Sequence, residues 1–348
     1  MSIGERPESA STQRLVRLAG IAIALIGSAA LLYSALTAPP GKPLVIAAMP
    51  PGSSWYVFAA TLGPLIESHL PGDSRVEIFA RGGGTGNPTL VERGKAAVAL
   101  SQVATAVWAW DGHPIAYQGV KHRRIRALVG GLNSVWMTAV AREDYIRRTG
   151  RDTLEKMLRA GPAPRIVMKP PGSTVPVAMD IILGYYGMNR RDIESRGGSI
   201  IQISVNQIPE MLGDGRADLY FETAIRGHPA LTEAATLSEI RFLDFPPDLQ
   251  AELQRQGGMR PSPLPAWFRG QARPAASVDC GTVLIARDDL PDDLAYLITK
   301  TICERRDLMA QAHRAWADFE PSRGGRLEVT GVPLHPGSMR YFKERGWL

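Results

Sequence analysis

The sequence predicts an α/β protein of two lobes carried behind an N-terminal membrane helix. Three observations predict it. Short apolar strands alternate with amphipathic helices along the chain, the pattern of parallel sheets covered by helices. A chain of 348 residues, 45% hydrophobic and 21% charged, exceeds one ordinary domain and can bury two cores. One local device, a strand running into Pro-Pro-Gly-Ser and then a helix, occurs twice, at Pro50-Pro51-Gly52-Ser53 and at Pro170-Pro171-Gly172-Ser173.

Residues 1–17 are polar and carry Arg6, Arg14 and Arg17. An uncharged apolar run from Leu18 to Leu36 follows; at about 1.5 Å per residue it spans roughly 28 Å, bilayer thickness rather than the length of a cleavable signal core. Ala38 runs directly into Pro39-Pro40, so no clean cleavage site is offered. The expectation is an uncleaved signal anchor over residues 18–37 with residues 1–17 cytoplasmic and the rest outside; secretion after cleavage is the alternative. Pro39 to Pro43 reads as a stiff spacer.

From Leu44 the chain reads as a buried strand that breaks at Pro50. Ser53 or Ser54 caps a helix whose apolar residues Trp55, Phe58, Leu62, Leu65, Ile66 and Leu70 recur at helical spacing. Arg75 to Ala80 alternates as a second strand and ends in Arg81-Gly82-Gly83-Gly84-Thr85-Gly86-Asn87, where glycine allows close backbone approach to a ligand. Thr89 to Gly94 suggests a helix. Lys95 to Gln102 and Arg126 to Gly131 are further strands. No GxxxxGK[ST] is present, so the glycine cluster is not a nucleotide phosphate loop.

A second unit begins with a strand at Trp136 to Ala141, a helix at Thr153 to Ala160 and a strand at Arg165 to Met168. After Lys169 and the second Pro-Pro-Gly-Ser, an apolar helix spans Val177 to Tyr186. Ile200 to Val205 and Arg216 to Glu222 are strands, with a short helix from Pro209 to Leu212 between them. Pro246 to Pro274, rich in Pro, Gly and Gln, reads as a long loop carrying Trp267 and Phe268. A strand at Thr282 to Ala286, a helix at Pro291 to Arg305 and a helical region at Met309 to Phe319 complete the chain.

Both Pro-Pro-Gly-Ser loops deliver a helix N-terminus, whose free N–H groups and positive dipole end stabilise an anion. Two such ends facing across a cleft would clamp one small anion. Arg81 and Lys169 stand just before the anion-facing loops and supply countercharge or remain solvated. The formal charge of +6 is spread along the chain without an aromatic-interleaved stripe, which argues against nucleic acid. Cys280 and Cys303 lack metal or redox spacing and read as inert buried thiols, a disulfide between them being the alternative. No GxSxG, HExxH or Walker pattern is present, so no enzyme, cofactor or metal is expected.

These segments, in order, resemble the TAXI family of solute-binding proteins of tripartite ATP-independent periplasmic (TRAP) transporters, over about Leu44 to Glu344. The residues that carry the resemblance are Pro333-Leu334-His335-Pro336-Gly337 with Arg340-Tyr341-Phe342-Lys343-Glu344, Gly83 to Asn87, Gln102 with Gly112 beyond it, Pro170-Pro171-Gly172-Ser173, Gly227-His228-Pro229, and Pro265 to Gly270. The resemblance implies a two-lobed periplasmic-binding-protein fold of type II, with two hinge strands: residues 43–134 and 278–348 form lobe I, and residues 135–277 form lobe II. It implies a receptor that captures a small carboxylate such as glutamate or 2-oxoglutarate by hinge closure and delivers it to TRAP membrane subunits. A membrane-tethered sensor, or an enzyme on the same fold, is the alternative.

The ligand contacts it implies are Ser54, Tyr56, Thr85, Asn87, Gln102, Gly172, Ser173 and Thr174, with Glu222 added from the strand that ends near the cleft. Where the family commonly has an acid, Ala104 stands two residues after Gln102, which removes a partner for a substrate ammonium group. The expectation is therefore a carboxylate without an amino group. His335, between two prolines, reads as structural.

Overall fold

The computed structural model describes residues 43–70 and 74–348. The expected signal anchor at 18–37 lies outside the described residues, and among the described residues no helix is long and apolar enough to cross a membrane.

The strands in chain order are β1 (Leu44–Ala47), β2 (Val76–Phe79), β3 (Val98–Gln102), β4 (Ile125–Val129), β5 (Trp136–Arg142), β6 (Arg165–Met168), β7 (Ser199–Gln202), β8 (Leu219–Ala224), β9 (Ile240–Leu243), β10 (Arg260–Pro261), β11 (Val278–Asp279) and β12 (Thr282–Arg287). They form two sheets, one ordered β2-β1-β3-β12-β4 and the other β10-β11-β5-β8-β6-β7 with β9 on β5. The expected mixed α/β architecture is therefore present as two separate sheets.

In the first sheet β1 pairs in parallel with β2 and β3. The helices Ser54–Glu67 and Gly86–Glu92 make the crossovers. β3 is buried at every residue, the signature of a strand covered on both faces. β12 returns from the far end of the chain and inserts antiparallel between β3 and β4. Phe58 of the first helix stacks on Trp316 at 4.2 Å, so the C-terminal segment packs on this lobe. In the second sheet β8 is central, antiparallel to β5 and parallel to β6. All six of its residues are buried.

Two chain passages join the sheets. Residues 130–135 lead from β4 to β5, and Cys280 and Gly281 lead from β11 to β12. They run side by side: Leu132 N–H donates to Thr282 O (3.1 Å), Thr282 N–H to Asn133 O (3.0 Å) and Cys280 N–H to Val135 O (2.8 Å). The Asp279 carboxylate accepts from Val135 N–H at 2.7 Å and Gly281 N–H at 2.8 Å, tying both passages together. Cys280 and Cys303 are free and buried, and burial raises both thiols, Cys303 to about 12.

The segment read as a loop from Pro246 to Pro274 is corrected: Pro247–Gly257 is an α-helix. It buries only Leu249, Leu253 and Gly257, so its apolar stripe is thin enough to read as polar connector. The C-terminal helical region likewise divides into a helix at Arg306–Ala312 and a 3-10 turn at Arg314–Trp316.

Three His-Pro pairs open helices: His113 before Pro114–Tyr117, His228 before Pro229–Leu237 and His335 before Pro336–Glu344. In each, Nδ1 accepts a backbone N–H from the first turn, at 3.3 Å. Proline at the first helical position lacks the N–H that would be orphaned there, and histidine satisfies another. His335 is thus a helix cap, fully buried.

Candidate functional site

The two Pro-Pro-Gly-Ser loops adopt one geometry. Gly52 has φ +90 and Gly172 φ +92, a region that favours glycine. Ser53 N–H and Oγ both donate to Pro50 O, at 3.2 and 2.7 Å, and Ser173 N–H and Oγ do the same to Pro170 O, at 3.3 and 3.0 Å. Ser53 also caps its helix, accepting from Tyr56 N–H at 3.2 Å. Because the first serine of each loop folds back on the turn, the next residue, Ser54 or Thr174, is left facing forward.

Ser54, Gln102, Ser173 and Thr174 line one cavity between the lobes, with Trp55, Gly84, Lys169, Thr223 and His228 among its other walls. Ser54 Oγ, Gln102 Oε1 and Thr174 Oγ1 are buried without a hydrogen-bond partner. Buried polar atoms are normally satisfied, so three orphans converging from both lobes mark a place built for a polar guest. The cavity holds about 30 Å³, room for little more than a water.

The two loops meet through backbone. Gly172 O accepts from Thr85 N–H at 3.0 Å and Gly86 N–H at 3.2 Å, joining the glycine loop of one lobe to the Pro-Pro-Gly-Ser loop of the other. A Cβ on Gly83 would lie 2.4 Å from Gly172 O, so glycine is what permits the approach. A second contact lies further along, where Trp108 Nε1 donates to Gly257 O at 2.8 Å and His113 Nε2 to Gln256 O at 3.0 Å.

Beneath the cavity sits an ionic cluster. Lys169 Nζ pairs with the Glu222 carboxylate and donates to Thr223 Oγ1 at 3.0 Å. Glu222 also accepts from Tyr220 Oη and from Thr223 N–H (2.6 Å). Burial alone would raise the Glu222 carboxyl, but Lys169, His228 and these donors outweigh it and hold it below its ordinary value. Burial pushes His228 down to about 4, against the pull of Glu222 4.0 Å away. One cation and one anion cancel, and His228 is neutral at pH 7. The attraction for an anion then rests on the helix N-termini of Ser54–Glu67 and Val175–Tyr185.

The remaining predicted residues stand apart from the lining. Asn87 is fully buried and spends its amide on the fold: Oδ1 accepts from Gly83 N–H at 3.0 Å and Nδ2 donates to Leu100 O at 2.7 Å. Asn87→Ala is expected to cost about 2 kcal/mol, read as a lower denaturant midpoint with an unchanged slope. Thr85 and Gly172 meet each other rather than the cavity; the Thr85 carbonyl also accepts from Tyr117 Oη at 2.8 Å. Tyr56 lies outside the lining and Trp55 within it, a difference of one residue, or about 100° around a helix. Glu222 is fully buried behind Lys169, as its counter-ion. Arg81 is exposed.

Acid should loosen this site. A histidine held neutral by burial contributes stability that is present above its unfolded value near 6.5 and is lost as pH falls toward its folded one. His228 thus predicts a loss of order 1 kcal/mol per pH unit between about 6.5 and 4. His228→Gln should flatten that part of a stability-against-pH curve.

A family model described as the NMT1-like family matches residues 46–346. Among solved structures, a ligand-binding component of an ABC-type import system from Staphylococcus aureus with zinc bound is 11% identical, over 88% of this chain and 93% of that one, with a TM-score of 0.46. The periplasmic aliphatic sulphonate binding protein of Escherichia coli is 12% identical over 87% and 79%, with a TM-score of 0.42. The alkanesulfonate-binding protein of Xanthomonas axonopodis pv. citri bound to MOPS is 12% identical over 88% and 85%, at 0.41. Among the described residues of this chain, no group of three or more His, Cys, Asp or Glu is placed to hold a metal ion.

Proposed function

Because the chain belongs to the NMT1-like family, and because its two lobes close on a cavity with orphaned polar atoms, we propose that it is an extracytoplasmic solute-binding receptor. The single observation that carries the reading is the convergence of Ser54 Oγ, Gln102 Oε1 and Thr174 Oγ1, unpartnered, on one interlobe cavity. The receptor is of the TAXI type, held at the periplasmic side of the inner membrane by its N-terminal helix, and it delivers its cargo to TRAP membrane subunits.

The solute is a small carboxylate. It enters when the passages at 130–135 and 280–281 flex and part the loops, accepts from the two helix N-termini and from Ser54 and Thr174, whose hydroxyls are unpartnered, and is released by reopening. Ligand favours approach of the two lobes because only then do both loops reach it, the cleft settling around it wider than the roughly 30 Å³ found here. The buried carboxylate at Glu222 is already committed to Lys169 and Ala104 offers none, so no carboxylate in the lining balances the charge of a substrate ammonium group. A 2-oxoglutarate-like acid is preferred over glutamate.

Calorimetric titration of the full chain with 2-oxoglutarate and with glutamate tests this. Tighter binding of 2-oxoglutarate, weakened by Ser54→Ala and Thr174→Ala, is the expected result. Tighter binding of glutamate would overturn the amino-free class, and no heat with either acid would overturn the carboxylate reading.

A further inference from the structure

A second cavity, of about 200 Å³, opens beside the hinge passages and is lined by both lobes. Most of its charges are spent: Arg260 lies 3.9 Å from Asp279 and Arg323 lies 3.8 Å from Glu320. Two are not. Among the described residues neither Arg226, on the second lobe, nor Asp318, on the first, makes a salt bridge or a side-chain hydrogen bond, and both line this cavity. Arg226 lies over the Trp267 ring at 5.7 Å, and Trp267 meets Trp136 edge to face at 5.2 Å. Trp136 is itself fixed by Nε1 donating to Ser262 Oγ at 3.1 Å. Asn133, 6% exposed, also lines the cavity; its Nδ2 is used on Ser134 O and its Oδ1 has no partner.

We propose that this hinge-side groove binds a small zwitterion with an apolar body, of the amino-acid class, at a site separate from the interlobe cleft. The carboxylate end meets the Arg226 guanidinium, which its ring contact holds in place. The ammonium end meets Asp318, and the apolar body lies against the two indoles. A purely anionic or purely cationic ligand would leave one of the two free charges without a counterpart. Because Arg226 and Asp318 belong to different lobes, an occupant bridges them, and its affinity is coupled to the hinge angle.

The test uses the full chain with L-phenylalanine as probe, read by calorimetry and by the thermal midpoint. Phenylalanine is expected to bind, and Arg226→Gln and Asp318→Asn are each expected to weaken it about tenfold. Both side chains are exposed, so the unliganded midpoints of these variants should match the wild type. Phenylacetate should respond to Arg226→Gln alone and phenethylamine to Asp318→Asn alone, while Ser54→Ala leaves phenylalanine binding unchanged. Four results would each overturn the proposal: no binding of phenylalanine, binding that neither charge variant alters, binding lost in Ser54→Ala, or a fall in the unliganded midpoint in both charge variants, which would mean that Arg226 and Asp318 serve each other.

Discussion

Lys169→Met is expected to lower folding stability by about 3 to 5 kcal/mol at neutral pH. The pair it breaks is sealed: the Lys169 side chain is 7% exposed and the Glu222 side chain 0%. Methionine fills much the same space, so the loss is electrostatic rather than a cavity. Glu222 would keep its donors from Tyr220 and Thr223 but lose its only full positive charge among the described residues. A double-mutant cycle separates the pair from its surroundings, because removing both charges with Lys169→Met and Glu222→Gln should cost less than Lys169→Met alone.

The pH dependence carries a sign that checks the cause. In the wild type, burial raises Glu222 but Lys169 and its neighbours win, so its folded pKa lies below the ordinary 4.5. That stabilisation is present above the unfolded value and lost as pH falls through the folded one. Without Lys169, burial dominates and the folded pKa rises above the unfolded value. The penalty in the variant then disappears as acid protonates Glu222, and the gap between variant and wild type narrows on acidification. A gap that is constant with pH, or a loss below about 1 kcal/mol, would show that the two groups do not depend on each other.

How far the site was legible follows from which interactions are local. The two Pro-Pro-Gly-Ser turns could be read because their determinants, a positive-φ glycine and a serine folding back three residues, lie within four positions of sequence. That reading placed Ser54, Ser173 and Thr174 at helix starts, where the structure finds them lining the cavity. Gln102 ends a fully buried strand, a second local signal. Lys169 reads from sequence as countercharge to an anion or as a solvated cation, whereas its partner Glu222 lies 53 residues away on β8; no periodicity reveals such a pairing. The family resemblance implies Asn87 as a ligand contact, yet its amide holds the loop to β3. The helix Pro247–Gly257 was missed for the opposite reason: its face is nearly all Gln, Glu and Arg, and its burial depends on packing against Val175–Tyr185.

Gly83→Ala is expected to hold the lobes apart. The added methyl would sit 2.4 Å from Gly172 O and 2.9 Å from its carbonyl carbon, backbone of the facing loop that has no rotamer to yield. Gly83 has no positive φ, so alanine is compatible with the loop itself and the fold of each lobe is left intact. The obstruction exists only in the closed state. If it disfavours closure by about 3 kcal/mol, apparent affinity for the cleft ligand falls by roughly a hundredfold, in proportion to the competent fraction. Small-angle scattering should show a larger radius of gyration than the wild type, with ligand no longer reducing it. Gly86→Ala is the control: its methyl would stand 4.0 Å from the same carbonyl, ordinary contact, and closure should survive. Equal affinity in Gly83→Ala and wild type would mean that ligand is held without the meeting of these two loops, and hinge closure could not then be the means of capture.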